Sequence, residues 1–398
     1  MYNYSNSSDT GTRNLVEIHN DHASATGTTA LKIIQDSSNS ALTITSGNYS
    51  QLQMISSGAE NGIKFVDSGG TVDGYIYATD SSVGFLNGSG SYTFKVDANS
   101  RISLGNNDSS GNIYNTIFGY LAGNSVVSGA TSNTLIGYAS GDAITTGTQN
   151  TAVGESALSG TDNGASNTAI GNSAMGVGNA DTANTAVGSQ SMIDVTGSYN
   201  TAVGMQSLFD ITSGGSNVAI GALSLKFANA GEDNNISIGV ESMRDVIENG
   251  NDASKNIAIG SLALTGGTLG ADFTGNIAIG DRAMDATNTN GSVGQIAIGQ
   301  NALSSLTSSE KNVAIGYESQ LYQTDGTNNV SLGYKALRGA DNGESGNVVI
   351  GSEAGISINH ASSDGNVIIG ATAGTGGAAA MTGVVVIGQH AMSSTAGN

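Results

Sequence analysis

From Asn115 to Met392 one nine-residue motif returns sixteen times: Asn, a β-branched residue, a small residue, an aliphatic, Gly, two variable residues, Ala or Ser, then Leu or Met. Its glycines are Gly119, Gly137, Gly154, Gly171, Gly188, Gly204, Gly221, Gly239, Gly260, Gly280, Gly299, Gly316, Gly333, Gly351, Gly370 and Gly388. Their mean spacing, (388 − 119)/15, is about 18 residues, and individual steps run from 16 to 21. A constant motif joined by Gly, Ser, Asn, Asp and Thr connectors of changing length predicts one strand and one tight turn per coil, with a loop on the other side. The expected fold is all-β: a parallel β-solenoid, or β-roll, of about sixteen coils over residues 111–398. Coils about 4.8 Å apart would make a shaft on the order of 70 Å long.

Position by position, with the motif glycine as zero, the repeat carries packing information. The residue at −1 is apolar throughout and is expected to form the repeat core: Phe118, Ile136, Val153, Ile170, Val187, Val203, Ile220, Ile238, Ile259, Ile279, Ile298, Ile315, Leu332, Ile350, Ile369 and Ile387. Position −3 shares its face by strand alternation. It is Thr in the first six copies, Thr116 to Thr201, and Val or Ile in the remaining ten. Where −2 is large (Ile117, Leu135, Val349, Ile368), +4 is Gly (Gly123, Gly141, Gly355, Gly374). Such an exchange of bulk implies that the two share a packed layer of fixed volume. Val386 with Met392 breaks this rule, and Gln320 is a polar exception at +4. The Asn at −4 is missing only at Gln295 and Val384, and such a column can form a side-chain ladder along the stack or satisfy the backbone at a bend. The motif glycine is expected to supply a positive φ or a close backbone approach.

Composition restricts the function classes. The 398 residues include 59 Gly but no Pro, Cys or Trp, so no disulfide or Cys-ligated metal site can form. With 38% hydrophobic and only 11% charged residues, the chain is too apolar and too weakly charged for generic disorder. A net charge of −20 opposes binding to nucleic acid and to anionic membranes. The stretch from Met1 to Tyr4 has no basic n-region or apolar h-region, and no window suits a bilayer span, so neither a Sec signal nor membrane insertion is expected. Each coil offers few apolar side chains against a backbone entropy of ~1–2 kcal/mol per residue. Partner copies are therefore expected to supply burial, in a parallel homotrimer with a small-residue face against its neighbours.

The repeat Asn-x-Ala-Ile-Gly-x-x-Ala-Leu resembles the head repeat of trimeric autotransporter adhesins, and more closely the longer, looser repeats of bacteriophage tail fibres. The resemblance covers residues 115–392 and implies a trimeric left-handed parallel β-roll in a virion fibre or on an extracellular surface. Partners implied are other copies of the chain, other tail or fibre proteins, and a host cell-surface receptor such as a glycan or outer-membrane component. Adhesin repeats are shorter and more regular than these. The run Tyr92–Gly105 also resembles the Phe-x-Val-Asp-x-x-Gly segments of fibre shafts, with Ser100 where Gly is expected.

Ahead of the repeat, residues 1–28 read as a flexible or attachment segment, and 29–110 as a small all-β module. Its expected strands are 30–34, 41–44, 52–55, 62–66, 75–77 and 92–96. Chemistry is sparse. His19 and His22 could seat a metal on a trimer axis, but they also suit a solvated turn. Ser308 and Lys311 match a Ser-x-x-Lys pattern inside a Ser-rich connector. The acidic connectors 231–234 and 341–344 lack EF-hand spacing. A tailspike-like glycan hydrolase would need sugar platforms, which 5% aromatics supply thinly. The Thr column suits an ice-binding face only as far as Thr201. No catalytic residue, metal or cofactor is expected. Tyr317, Tyr334 and Lys335 are candidate contact residues, and the expected role is a structural, adhesive fibre.

Overall fold

In a computed structural model the described residues are 60–66, 71–79, 82–89, 92–97, 102–104 and 114–393. Short connector stretches at 128, 161–162, 178–181, 212, 229–231, 247–251, 268–270, 287–291, 342 and 376–379 are excepted. No helix occurs among them. The chain divides into two units, which are taken in turn.

Ahead of the repeat, strands Glu60–Val66, Val72–Thr79 and Ser82–Asn87 are neighbours in chain order in one sheet, and Tyr92–Asp97 and Ile102–Leu104 are two further strands. The first three pair antiparallel. The expected strands at 30–34, 41–44 and 52–55 lie outside the described residues. Ser82–Asn87 was not expected, because Gly84 interrupts its alternation.

The repeat unit is a parallel β-solenoid. Each motif contributes a three-residue strand at −3 to −1, from Thr116–Phe118 to Val385–Ile387, and the sixteen strands form one sheet with neighbours in sequence as neighbours in space. Pairing is parallel and in register, so Thr134, Thr151 and Thr168 align, as do Ile277 and Ile296. Some connectors pair as well. Asp194–Val195, Asp210–Ile211 and Phe227–Ala228 form one small parallel sheet, and Phe273–Thr274, Ser292–Val293 and Ser309–Glu310 another.

The turn after each strand explains the glycine. All sixteen motif glycines have φ between +129° and +144°, beyond the usual left-handed well of other residues. In the first fifteen, a Cβ would fall within 2.6 Å of the next motif glycine's carbonyl carbon or oxygen. Positions −5, +2 and +4 are also left-handed in every coil, and mostly not Gly: Lys255 (φ 63°), Glu318 (φ 51°) and Leu158 (φ 54°) are examples.

The interior of each coil is small. Position −2 points inward, and Ala152, Ala258 and Ala314 are wholly buried. Positions +3 and +4 fold back over it, burying pairs such as Ala157 with Leu158 and Ala263 with Leu264. The exchange of bulk has a direct cause. A Cβ on Gly141 would lie 2.7 Å from Leu135 Cδ2, one on Gly374 2.9 Å from Ile368 Cδ1, and one on Gly355 3.2 Å from Val349 Cγ1. Met392 escapes the conflict with Val386 because it is 49% exposed, outside the layer.

Two expectations are corrected here. The −1 column is not this interior: Phe118, Ile136, Ile170, Val203, Ile220, Ile259, Leu332 and Ile387 are exposed, and Val153, Val187, Ile238, Ile279, Ile298, Ile315, Ile350 and Ile369 are half-buried. Alternation sends −2 to one face and −3 with −1 to the other, and only the small −2 side chain suits the narrow inside. For the same reason the small residues face inward and are not offered to a neighbour. The outer face is aliphatic.

A ladder runs through the buried −4 column. At every one of the fifteen junctions the −4 side-chain oxygen accepts the backbone N–H of the next coil's −4 residue, as from Asn133 to Asn115 (2.8 Å) and from Asn276 to Asn256 (3.0 Å). At each asparagine except Asn167 the amide nitrogen donates to the next coil's carbonyl at −7, as Asn256 Nδ2 does to Phe273 O (2.8 Å). Gln295 substitutes by bonding Ser309 Oγ (2.8 Å) and accepting from Asn312 N–H (2.9 Å). Val384 closes the series, donating its N–H to Asn366 Oδ1 (2.9 Å) and offering no side-chain acceptor onward.

Candidate functional site

With the interior closed, the outer faces are what the repeat unit presents. The broadest is the face of the sixteen strands at −3 and −1. Val and Ile fill −3 from Val218 to Val385, and −1 is apolar throughout. Ile136, Ile220, Ile259 and Leu332 are 36–45% exposed, and Ile387 is 67% exposed. Monomeric soluble proteins rarely show a continuous apolar surface beyond a few hundred Å².

A second feature lies at the edge of that face, at +1 and +2. Because coils stack in register, equal side chains at +1 come face to face. Tyr317 and Tyr334 stack with ring centroids 5.4 Å apart and 11° between planes, and Tyr120 and Tyr138 stack at 6.0 Å and 24°. Beside the first pair, Arg338 Nε donates to Glu318 (2.7 Å), and its NH2 group donates to the Tyr322 hydroxyl (3.1 Å). Lys335 lies 4.0 Å from Glu318 and 4.8 Å from the Tyr334 ring centre. Burial would raise the Glu318 carboxyl, but hydrogen bonds from Tyr317 and Arg338 and the two nearby cations outweigh it and hold the group below its ordinary range. Glu318 in turn pushes the Tyr317 hydroxyl up.

Tyr317 and Tyr334 are exposed and Lys335 is half-buried, so the structure brings these three expected contact residues together at the junction of two coils. Sequence reading missed Glu318, Arg338 and Tyr322. The signal was their separation: Glu318 and Arg338 are 20 residues apart, within the range of one coil step. A second brace has Lys226 over the Phe209 and Phe227 rings, at 5.5 and 4.6 Å. Asp194 aligns with Asp210 on the adjacent strand, and burial together with that like charge raises the Asp210 carboxyl.

The other expected chemistry disperses. Lys311 pairs with Glu310 at 3.0 Å, while the Ser308 N–H donates to Thr324 O. In the acidic connectors Glu232 and Glu344 are wholly buried, and Asp233 Oδ1 accepts the Gly215 N–H. His360 and His390 are exposed and well separated in sequence, and His19 and His22 lie outside the described residues. Among the described residues no three His, Asp or Glu side chains are grouped to hold a metal, and no helix is long and apolar enough to cross a membrane. The chain matches no protein-family model, and no curated protein matches it.

Proposed function

We propose that this chain is the shaft-forming subunit of a homotrimeric adhesive fibre, a bacteriophage tail fibre or part of one, that presents a host-receptor-binding surface. The observation that carries the reading is the uncovered −3/−1 face. Sixteen apolar residues at −1 and ten at −3 stand on it. At roughly 0.8 kcal/mol gained for each partly exposed aliphatic side chain that is covered, they would contribute on the order of 20 kcal/mol per chain. Association costs about 4–15 kcal/mol, so the balance favours assembly. The role is mechanical, with no catalytic step assigned to any residue. The variable +1 and +2 edge, including Tyr317, Tyr334 and Lys335, is the surface offered to a glycan or outer-membrane receptor.

The likeness of the nine-residue motif to the adhesin head repeat supports a second reading, a bacterial surface adhesin of the autotransporter-head type. The first experiment is the mass in solution, expected near three times 39.6 kDa. A compact monomer would sink both readings. Detection of the chain in purified virions, against detection on a bacterial surface, then separates them.

A further inference from the structure

Most polar side chains inside the coils are paired, and Asp142 Oδ1 and Asn167 Nδ2 are isolated exceptions. Ser237, a rare Ser at −2, meets Ser224 Oγ of the preceding coil (2.7 Å) and donates to Ser242 O (2.8 Å). Ser331, the other Ser at −2, contacts Ser319 Oγ in the same manner. The twelfth coil departs from this rule. Its +4 and +7 residues are Gln320 and Gln323, where the preceding coil has Leu303 and Leu306. Both glutamines are wholly buried.

Gln320 Nε2 donates to Ser331 Oγ (2.7 Å) and Val313 O (3.1 Å). A flipped amide would set oxygen against the Val313 carbonyl, acceptor against acceptor, so this orientation is fixed. Gln320 Oε1 is then left with no donor in the chain, and neither Gln323 Oε1 nor Gln323 Nε2 has a partner. Three orphaned buried polar atoms on side chains one turn apart are exceptional, since each would cost about 1–3 kcal/mol. The facing residues of the next coil are small, Ala340 at +7 and Gly326 at −7, and the Gln323 amide occupies the space that a side chain at Gly326 would need. The unmet groups are two acceptors and one donor. A metal cation would serve only the two oxygens. A species that both donates and accepts serves all three.

We propose that ordered water is bound inside the solenoid at the junction of the twelfth and thirteenth coils, donating to Gln320 Oε1 and Gln323 Oε1 and accepting from Gln323 Nε2. Three hydrogen bonds is the usual complement of a buried water. The outer brace, Tyr317 on Tyr334 and Glu318 with Arg338, joins the same two coils from outside. This inference does not depend on the trimer.

Diffraction from crystals of the full chain, at a resolution that orders solvent, should reveal density about 2.7–3.2 Å from the glutamine amides. Protein partners on both Gln323 atoms, with no such density, would overturn the proposal. Gln323→Met keeps the length and removes two of the three groups that hold the water, so crystals of the variant should lose or weaken that density. Density unchanged in the variant would mean that the glutamine does not hold this solvent, and would also overturn the proposal.

Discussion

The motif glycine and the left-handed residues around it make opposite demands. At Gly204 both φ (+138°) and the Gly221 carbonyl exclude a side chain. Gly204→Ala should therefore destabilise by about 3 kcal/mol or more, seen as a lowered thermal midpoint. At −5, Lys255 holds φ 63° with an exposed side chain, whereas Gly275, Gly294, Gly346, Gly365 and Gly383 occupy the same position in other coils. Lys255→Gly should stabilise by about 0.5–1 kcal/mol, because relief of left-handed strain exceeds the added entropy of the unfolded chain. A lower thermal midpoint in that variant would contradict the strain argument. These two positions also mark the limit of what the sequence discloses. The glycine column was legible because only one residue type satisfies both constraints. The strain at −5, +2 and +4 was not, since Lys, Gln, Leu and Met tolerate it without a shared chemistry.

Between coils, the asparagine ladder and a few outer braces add side-chain cohesion to the backbone bonds of the sheet. Asn256→Ala would strand the Asn276 N–H and the Phe273 carbonyl inside the coil, at a cost of about 2–4 kcal/mol. Asn256→Gln should cost less, as Gln295 indicates, and comparing the two thermal midpoints checks the ranking. The Glu318 brace adds a pH dependence. Its folded-state pKa is lowered, so its contribution is present above the unfolded carboxylate range, near pH 4.3, and is lost as pH falls through the lower folded value. Glu318→Gln should flatten the fall in stability over that acidic window, and an unchanged slope would remove Glu318 as its source. At this scale the ladder and the exchange of bulk between −2 and +4 could be read from columns of residues. Which strand face turns inward could not, because alternation separates −2 from −3 and −1 without saying which side is closed. The coil's narrowness decides it: Ala fits inside, and Ile259 is left at 36% exposure. The brace around Arg338 escaped notice because its partners sit in different coils.

Over the whole repeat unit, one interior and one aliphatic exterior run in parallel along the same sixteen strands, and a substitution can address either alone. Ile259 and Ile298, both at −1, are two coils apart and point away from the buried Ala258 and Ala297. Replacing both with Lys leaves the −2, +3 and +4 packing and the ladder intact, and each ammonium can reach solvent from an isolated chain. Covered by identical neighbours, the same pair would bury six like charges around a common axis in a trimer, with no acidic side chain at −3 or −1 to pair them. Ile259→Lys with Ile298→Lys should therefore leave the β circular-dichroism signal unchanged and drop the sedimenting mass from about three chains to one. Retention of the parent mass would mean that copies join through another face. Loss of the β signal along with the mass would mean that these coils cannot keep their fold without the partners that cover them.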